Sequence, residues 1–423
     1  MQNASSRRQF VKASAIAGAA LAAISPTAVH AAGSNELKVG LIGCGGRGMG
    51  AASNTIAGDP NVNITAIADL FPDTLESAKK QLAAGLGPRF KATNETCFSG
   101  FDAYQKVIDS GVDVVLLCTP PHFRPLHLKY AIDAGKHVFC EKPVAVDAPG
   151  VRSVLETVRK AKEKNLTIVS GLCWRYDYGV RETIARVLGG DIGDIVAIQE
   201  NYLAGTLWNR PRKPEWTDME YQLRNWLYYT WLSGDHNVEQ HVHSLDKALW
   251  LNGDEPPVSC FGLGGRQVRV QEEFGNIFDH HAVCYEWKSG VKCFAFTRQM
   301  RGAYGDTDDY VLGTKGRAKI LKNEIYGKDG QRLWKYKGEA PSMYDNEHKE
   351  MYEALRAGKI INNGIYMTYS TMMAIMGRMA TYTGQQISWE DAMNSKEDLT
   401  PPKYEFGPAP KVEIAVPGVT PLV

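Results

Sequence analysis

The chain has 423 residues, with 48 basic against 47 acidic side chains, 44% hydrophobic residues and eight cysteines. That length supports two domains with substantial cores, and the near-neutral balance removes any electrostatic case for a nucleic-acid partner or an anionic membrane. The cysteines form no CxxC pair, which argues against a zinc cluster and against a dense disulfide framework.

The N-terminal stretch Ser5 to Lys12 carries Arg7 and Arg8, then Phe10 and Lys12. Twin arginines followed by a bulky apolar residue and a lysine are the address of the twin-arginine export route. The basic residues precede a run of small apolar residues from Ala13 to Ile24, and Val29-His30-Ala31 offers a small-residue cleavage site. The expectation is a signal peptide over residues 1–31 and a periplasmic or otherwise exported mature protein. Its loss removes Arg7, Arg8 and Lys12, leaving 45 basic against 47 acidic residues, about −2. The competing reading is an uncleaved N-terminal anchor. No stretch reaches the length of a membrane span, so no membrane association is expected after cleavage.

Leu37 to Ile42 reads as a short apolar strand, and Gly43-x-Gly45-x-x-Gly48 follows it directly. Gly43 permits a tight turn, Gly45 lets the backbone approach a pyrophosphate, and Gly48 allows close helix packing. The helix start that follows offers free N–H groups to phosphates. A second strand, Val62 to Ala68, ends in Asp69, 21 residues after Gly48. An acid there accepts hydrogen bonds from the adenosine ribose 2′-OH, and it repels a 2′-phosphate, so NAD is favoured over NADP. Val112 to Thr119 is an uninterrupted apolar run, as in a parallel strand buried on both faces. A helix follows Pro120-Pro121, and "HVFCEKP" reads as a further strand ending in charge. These elements predict an α/β chain: a doubly wound (Rossmann) dinucleotide-binding domain over residues 35–170, then an α+β domain over 171–423.

At "CEKP" the sequence resembles the Gfo/Idh/MocA oxidoreductases, which include glucose-fructose oxidoreductase and inositol dehydrogenase. The resemblance rests on "GLIGCGGRG", "AIADL", "CTPPHFRPLHLKYAIDAGKHVFCEKP" and "HVHSLDKALWLNG", and so covers essentially the whole mature chain. It implies that Lys142 lies beside the nicotinamide and the substrate hydroxyl, with Glu141 near the nicotinamide ribose. It also implies a cis bond before Pro143 and a catalytic histidine at His243. The family's aspartate four residues earlier is replaced by Glu239, which is expected to face His243 across one helical turn and orient it. His241 is a further polar contact for the pocket. The expected cofactor contacts are Gly43, Gly45, Gly46, Arg47, Gly48 and Asp69 in the first βαβ unit. Thr119, Pro120 and His122 join them after the apolar strand, followed by Glu141 and Lys142.

Beyond Gly171, "IVAIQENYLA", "VSCFGLGGRQVRV", "DHHAVCYEW" and "VKCFAFTRQM" alternate as strands of a large, mainly antiparallel sheet with one open face. Helices over residues 346–357 and 368–382 should cover the other face. In the resembled family such a sheet commonly mediates dimerisation, which implies a homodimer or homotetramer. Cys284 and Cys293 flank a hairpin and are candidates to pair after export. Trp174, Arg175 and Tyr176 follow a strand at residues 167–171 and are expected to line the substrate pocket. The insert over residues 204–234 carries four of the nine tryptophans with Arg210, Arg212 and Arg224. That composition suits a carbohydrate, or an arm packed on a neighbouring subunit. The tail over residues 401–423 reads as an extended strap.

Five histidines, His236, His241, His243, His280 and His281, raise a metal. Their spacing supplies neither HExxH nor a facial triad, so no metal is assigned. The leading expectation is an exported oxidoreductase with tightly bound NAD acting on a sugar, glycoside or polyol. A redox-neutral NAD-dependent glycosidase and a non-catalytic sugar-binding protein with structural NAD are the alternatives.

Overall fold

The computed structural model describes residues 35–423, and the export signal expected over residues 1–31 lies outside the described residues. The first sheet contains β1 (Leu37–Ile42), β2 (Val62–Asp69), β3 (Cys97–Ser99), β4 (Val114–Leu117), β5 (His137–Cys140) and β6 (Ile168–Ser170). Their order is β3-β2-β1-β4-β5-β6, and every neighbouring pair is parallel. The apolar run before Pro120 becomes β4, buried along its whole length, because helices cover both faces of a parallel sheet. The strand order reverses between β1 and β4. A crevice therefore opens outside their carboxyl ends, where ligands bind in such sheets.

The second sheet takes its strands from the rest of the chain. These are β7 (Ile195–Ala204), β8 (Ser259–Gly265), β9 (His280–Glu286), β10 (Lys292–Gln299), β11 (Asp309–Gly313), β12 (Gly316–Lys319), β13 (Glu324–Gly327), β14 (Arg332–Lys335) and β15 (Ile387–Ser388). Their order is β14-β13-β12-β11-β7-β10-β9-β8-β15. Only β7 and β10 run parallel, so the sheet is mainly antiparallel as expected. Side chains alternate between the two faces. Cys293 and Tyr285 turn into the core, while Phe261, Leu263, Phe294 and Phe296 stand exposed on the other side. The same alternation settles the open question of a Cys284–Cys293 pair. Cys284 pairs in register with exposed Phe294, whereas Cys293 pairs with buried Tyr285, so the two sulfurs point to opposite faces and both are free.

Two helices tie the halves together. Gly364–Thr383 is buried almost throughout, and its residues join a core shared by both sheets. Met343–Arg356 packs on the glycine-loop helix Gly46–Gly58, with Thr55 Oγ1 and His348 Nδ1 2.8 Å apart and Asn54 donating to Asp345 at 2.7 Å. The dinucleotide domain read over residues 35–170 is thus completed by a helix from far down the chain. Both helices begin earlier than their apolar spacing suggested. Ser342 caps the first by accepting from the Asp345 N–H.

Candidate active site

The glycine loop is shaped by what the glycines lack. Gly43 has φ +96°, and a Cβ there would meet the backbone at Cys118 and Thr119 at 2.7 Å. At Gly48 it would lie 1.9 Å from the Gly43 carbonyl oxygen, so only glycine lets the helix close on β1. At Gly45 and Gly46 a Cβ would meet nothing within 4 Å. That open space lies at the N-terminus of the helix Gly46–Gly58, whose first N–H groups are free for an anion. Asp69 closes β2, accepting from the Cys44 N–H at 2.8 Å and the Phe71 N–H at 2.9 Å. Burial pushes its carboxyl above the ordinary value, and those two N–H groups pull the other way. The loop, the helix end and the acid together fit a dinucleotide.

A cavity of about 510 Å³ runs from this cradle to the charged end of β5. Gly43, Gly45, Gly46, Arg47, Asp69, Thr119, Pro120, Glu141 and Lys142 line it, joined by Glu239 and His243. Gly48 acts behind the wall, through packing. His122 does not line the cavity. It is buried under the C-terminal tail, where its Nε2 lies 2.8 Å from the Tyr404 hydroxyl, and burial lowers its pKa to about 4.

At the far end, the Lys142–Pro143 bond is cis as the resemblance implied. Lys142 Nζ donates to the Glu239 carbonyl at 2.6 Å and to its carboxylate at 3.0 Å. Here the structure corrects the sequence reading. Glu239 ends one short helix, His236–Glu239, and His243 belongs to the next, Val242–Leu251. Without a continuous helical turn between them, no hydrogen bond joins the two side chains. Glu239 holds the lysine, and the His243 Nδ1 is buried without a hydrogen-bond partner. Burial, then the positive charges of Lys142, Lys247 and Arg47, keep His243 well below the ordinary histidine pKa. Its main chain is anchored by Lys247, which donates to the His243 carbonyl at 2.7 Å and pairs with Asp309 at 3.0 Å.

Arg47 donates from Nε to Glu141, lies 3.5 Å from Glu347 and sits over the Tyr344 ring at 4.7 Å. Burial works against its charge, but Glu141 and Glu347 hold its pKa above the ordinary value. Burial, reinforced by Glu141, pushes the Glu347 carboxyl well up. Tyr344 and Glu347 escaped the sequence reading, since nothing local marks residues that arrive on a distant helix. Trp208, Arg210, Leu223 and Trp226 of the insert also line the cavity. Their aromatic density was the signal that singled the insert out.

Four expected substrate contacts are not at the pocket. Arg175 is buried, pairing with Asp246 at 2.9 Å and Asp254 at 2.6 Å beneath the Tyr366 ring. Tyr176 donates to Asn363 at 2.8 Å. Trp174 packs against the core beside Lys247. The short turn after β6 points all three inward. His241 is fully buried, with its Nδ1 3.0 Å from the Asn237 side-chain oxygen. Of the remaining histidines, His236 and His281 flank Asp235, the three offering donor atoms within 4.8 Å of one another. That carboxylate already accepts from the Tyr382 hydroxyl at 2.6 Å and the Phe278 N–H at 2.9 Å. His280 pairs with Asp279 at 2.7 Å.

Comparison with known proteins agrees with this geometry. The family description "Oxidoreductase family, NAD-binding Rossmann fold" matches residues 37–170. The 2,7-anhydro-N-acetylneuraminate hydratase of Escherichia coli is 28% identical over 51% of this chain, and the chain spans only 53% of that protein's length. The myo-inositol 2-dehydrogenase of Thermotoga maritima is 27% identical over 66% of this chain and 74% of its own. A levoglucosan dehydrogenase solved with NADH and levoglucosan superposes with a TM-score of 0.65 at 17% identity, covering 84% of this chain and 99% of its own. At that identity the likeness speaks for the fold. Together, the glycine cradle, the strand order and the family match show a Rossmann dinucleotide-binding fold over residues 37–170, similar to that of the NAD-binding oxidoreductase family.

Proposed function

We propose that the protein is an NAD-dependent oxidoreductase that transfers hydride between a tightly held nicotinamide cofactor and a hydroxyl of a sugar, glycoside or polyol. One observation carries the reading: Lys142 and His243 share a wall of the cavity that begins at the Gly43–Gly48 cradle. The cofactor, when bound, supplies the hydride acceptor. His243, kept neutral by burial, accepts the hydroxyl proton. Lys142 donates to the same oxygen and stabilises the charge that develops on it. Glu239 fixes Lys142 in place and balances its charge. Asp69, at the end of β2, favours NAD over NADP because a 2′-phosphate would meet a carboxylate.

Relatives named for inositol oxidation support a polyol or sugar substrate. The hydratase among the relatives supports a second, redox-neutral reading, in which the sugar is oxidised only transiently. The twin arginines support export after folding, and a folded passage lets the protein carry its NAD with it. The exposed face bearing Phe261, Leu263, Phe294 and Phe296 supports a homodimer or larger homo-oligomer. Among the described residues no helix is long and apolar enough to cross a membrane. Single-turnover mixing of NAD-loaded protein with a panel of sugars, polyols and aryl glycosides tests the reading. Net reduced cofactor is the expected result, aglycone release without it marks the redox-neutral reaction, and neither marks a binding protein.

A further inference from the structure

The adenosine end of the cavity is walled by more than the dinucleotide domain. Leu70 and Phe71 follow Asp69 directly, and they join Phe101 in a hydrophobic cluster built chiefly by the insert, with Phe123, Phe274 and Ile277 and with Ala409 and Val412 of the C-terminal tail. Arg224 of the insert crosses to the dinucleotide domain. Its guanidinium lies over the Phe71 ring at 3.9 Å and forms a two-pronged ion pair with Asp73, at 3.1 and 3.0 Å. Glu220, one turn earlier on the insert helix Asp218–Arg224, holds the same guanidinium at 2.9 Å. Leu223 and Trp226, on either side of Arg224 in sequence, line the cavity.

The tail lies over both partners. Phe406 stacks on Phe71 at 6.1 Å and meets Phe101 at 5.4 Å. Tyr404 reaches His122 at 2.8 Å. The Gly407 carbonyl accepts from the Met219 N–H of the insert helix at 3.0 Å, and the Pro410 carbonyl from the Gln222 amide at 3.3 Å. The insert and the tail, far apart in sequence, therefore close on residues 69–73, the residues that follow the ribose-binding position.

We propose that Arg224, Asp73 and Phe71, strapped by Phe406, form a clasp over the adenosine half of the bound dinucleotide, and that its opening sets the rate at which the cofactor leaves. The inference rests on the assignment of the cavity to NAD and adds the part of the chain that retains it. A bidentate guanidinium–carboxylate pair stacked on an aromatic ring is directional, and lysine cannot reproduce it. The clasp lies away from Lys142 and His243, so it acts on retention and leaves the catalytic groups in place.

The test is exchange of labelled NAD out of the purified full-length protein, followed by rapid filtration. Arg224→Ala and Asp73→Ala should each speed release at least tenfold, as should removal of residues 401–423. Arg224→Lys keeps a positive charge beside Asp73 and Glu220 but not the fork stacked on Phe71, so it should release NAD faster than wild type yet slower than Arg224→Ala, an order that a mere loss of folding would not give. Near-ultraviolet circular dichroism of each variant confirms that the fold is kept. Protein that binds NAD but releases it at the same rate in all four variants overturns the clasp alone. Protein that binds no NAD at all overturns the cofactor assignment and the clasp with it.

Discussion

The cradle and the charged corner are two ends of one cavity built by different means. The cradle is contiguous, lying within residues 43–69, and it is built mainly from backbone, from free N–H groups and the room that absent side chains leave, with the Asp69 carboxylate at its end. The corner gathers Arg47, Lys142, Glu239, His243 and Glu347 from widely separated segments, and its function resides in charges that only the tertiary fold brings together. Backbone function tolerates change around it provided the glycines stay. Charge function depends on which partner each group finds, and one altered contact redirects it.

The largest effect should come from the corner. His243→Ala is expected to lower turnover at least about a hundredfold, the usual worth of a general base, with NAD occupancy near wild type. Single-turnover rates on protein of matched occupancy check this. Glu239→Gln should cost about tenfold, or roughly 1.4 kcal/mol, because the amide still accepts from Lys142 but no longer as an anion. Were it to cost more than the loss of His243, the assignment of base and lysine-holder would be wrong.

At the cradle the effect should fall on cofactor choice instead. Asp69→Ser is expected to shrink the NAD-to-NADP affinity ratio about tenfold while turnover with saturating NAD stays put. Titrating both cofactors into stripped protein measures it, and an unchanged ratio would show that Asp69 does not face the ribose. The smallest effect concerns pH. A histidine of ordinary pKa, about 6.5, would lose roughly fourfold of its neutral form between pH 7.5 and 6. His243 lies well below that value, so the neutral base persists and kcat/KM should fall less than about twofold over that range. A full fourfold loss would place His243 in a wetter site than this one.

The same contrast explains what the sequence revealed. Glycine spacing and the strand ending at Asp69 act locally, so the cradle was legible, as were β7 to β10, whose alternation follows the sheet face. At the corner the resemblance singled out Lys142 and His243, which line the cavity, but not the partners they find. Glu239 was expected to serve His243, yet the chain breaks between two short helices and gives it to Lys142. Arg175 looked like a pocket residue because the acids that take it inward, Asp246 and Asp254, stand more than seventy residues away. The insert was flagged for its tryptophans and arginines, but only the fold shows Arg224 gripping Asp73.

The most direct measurement follows the hydride itself. NAD-loaded protein would be mixed once with a sugar or polyol deuterated at its carbinol carbons, and the extracted nicotinamide examined by mass spectrometry. The account predicts deuterium on the nicotinamide in the wild type and little or none after the same interval in His243→Ala. Product formed with no deuterium on the nicotinamide at any time, or equal labelling in both proteins, would contradict it.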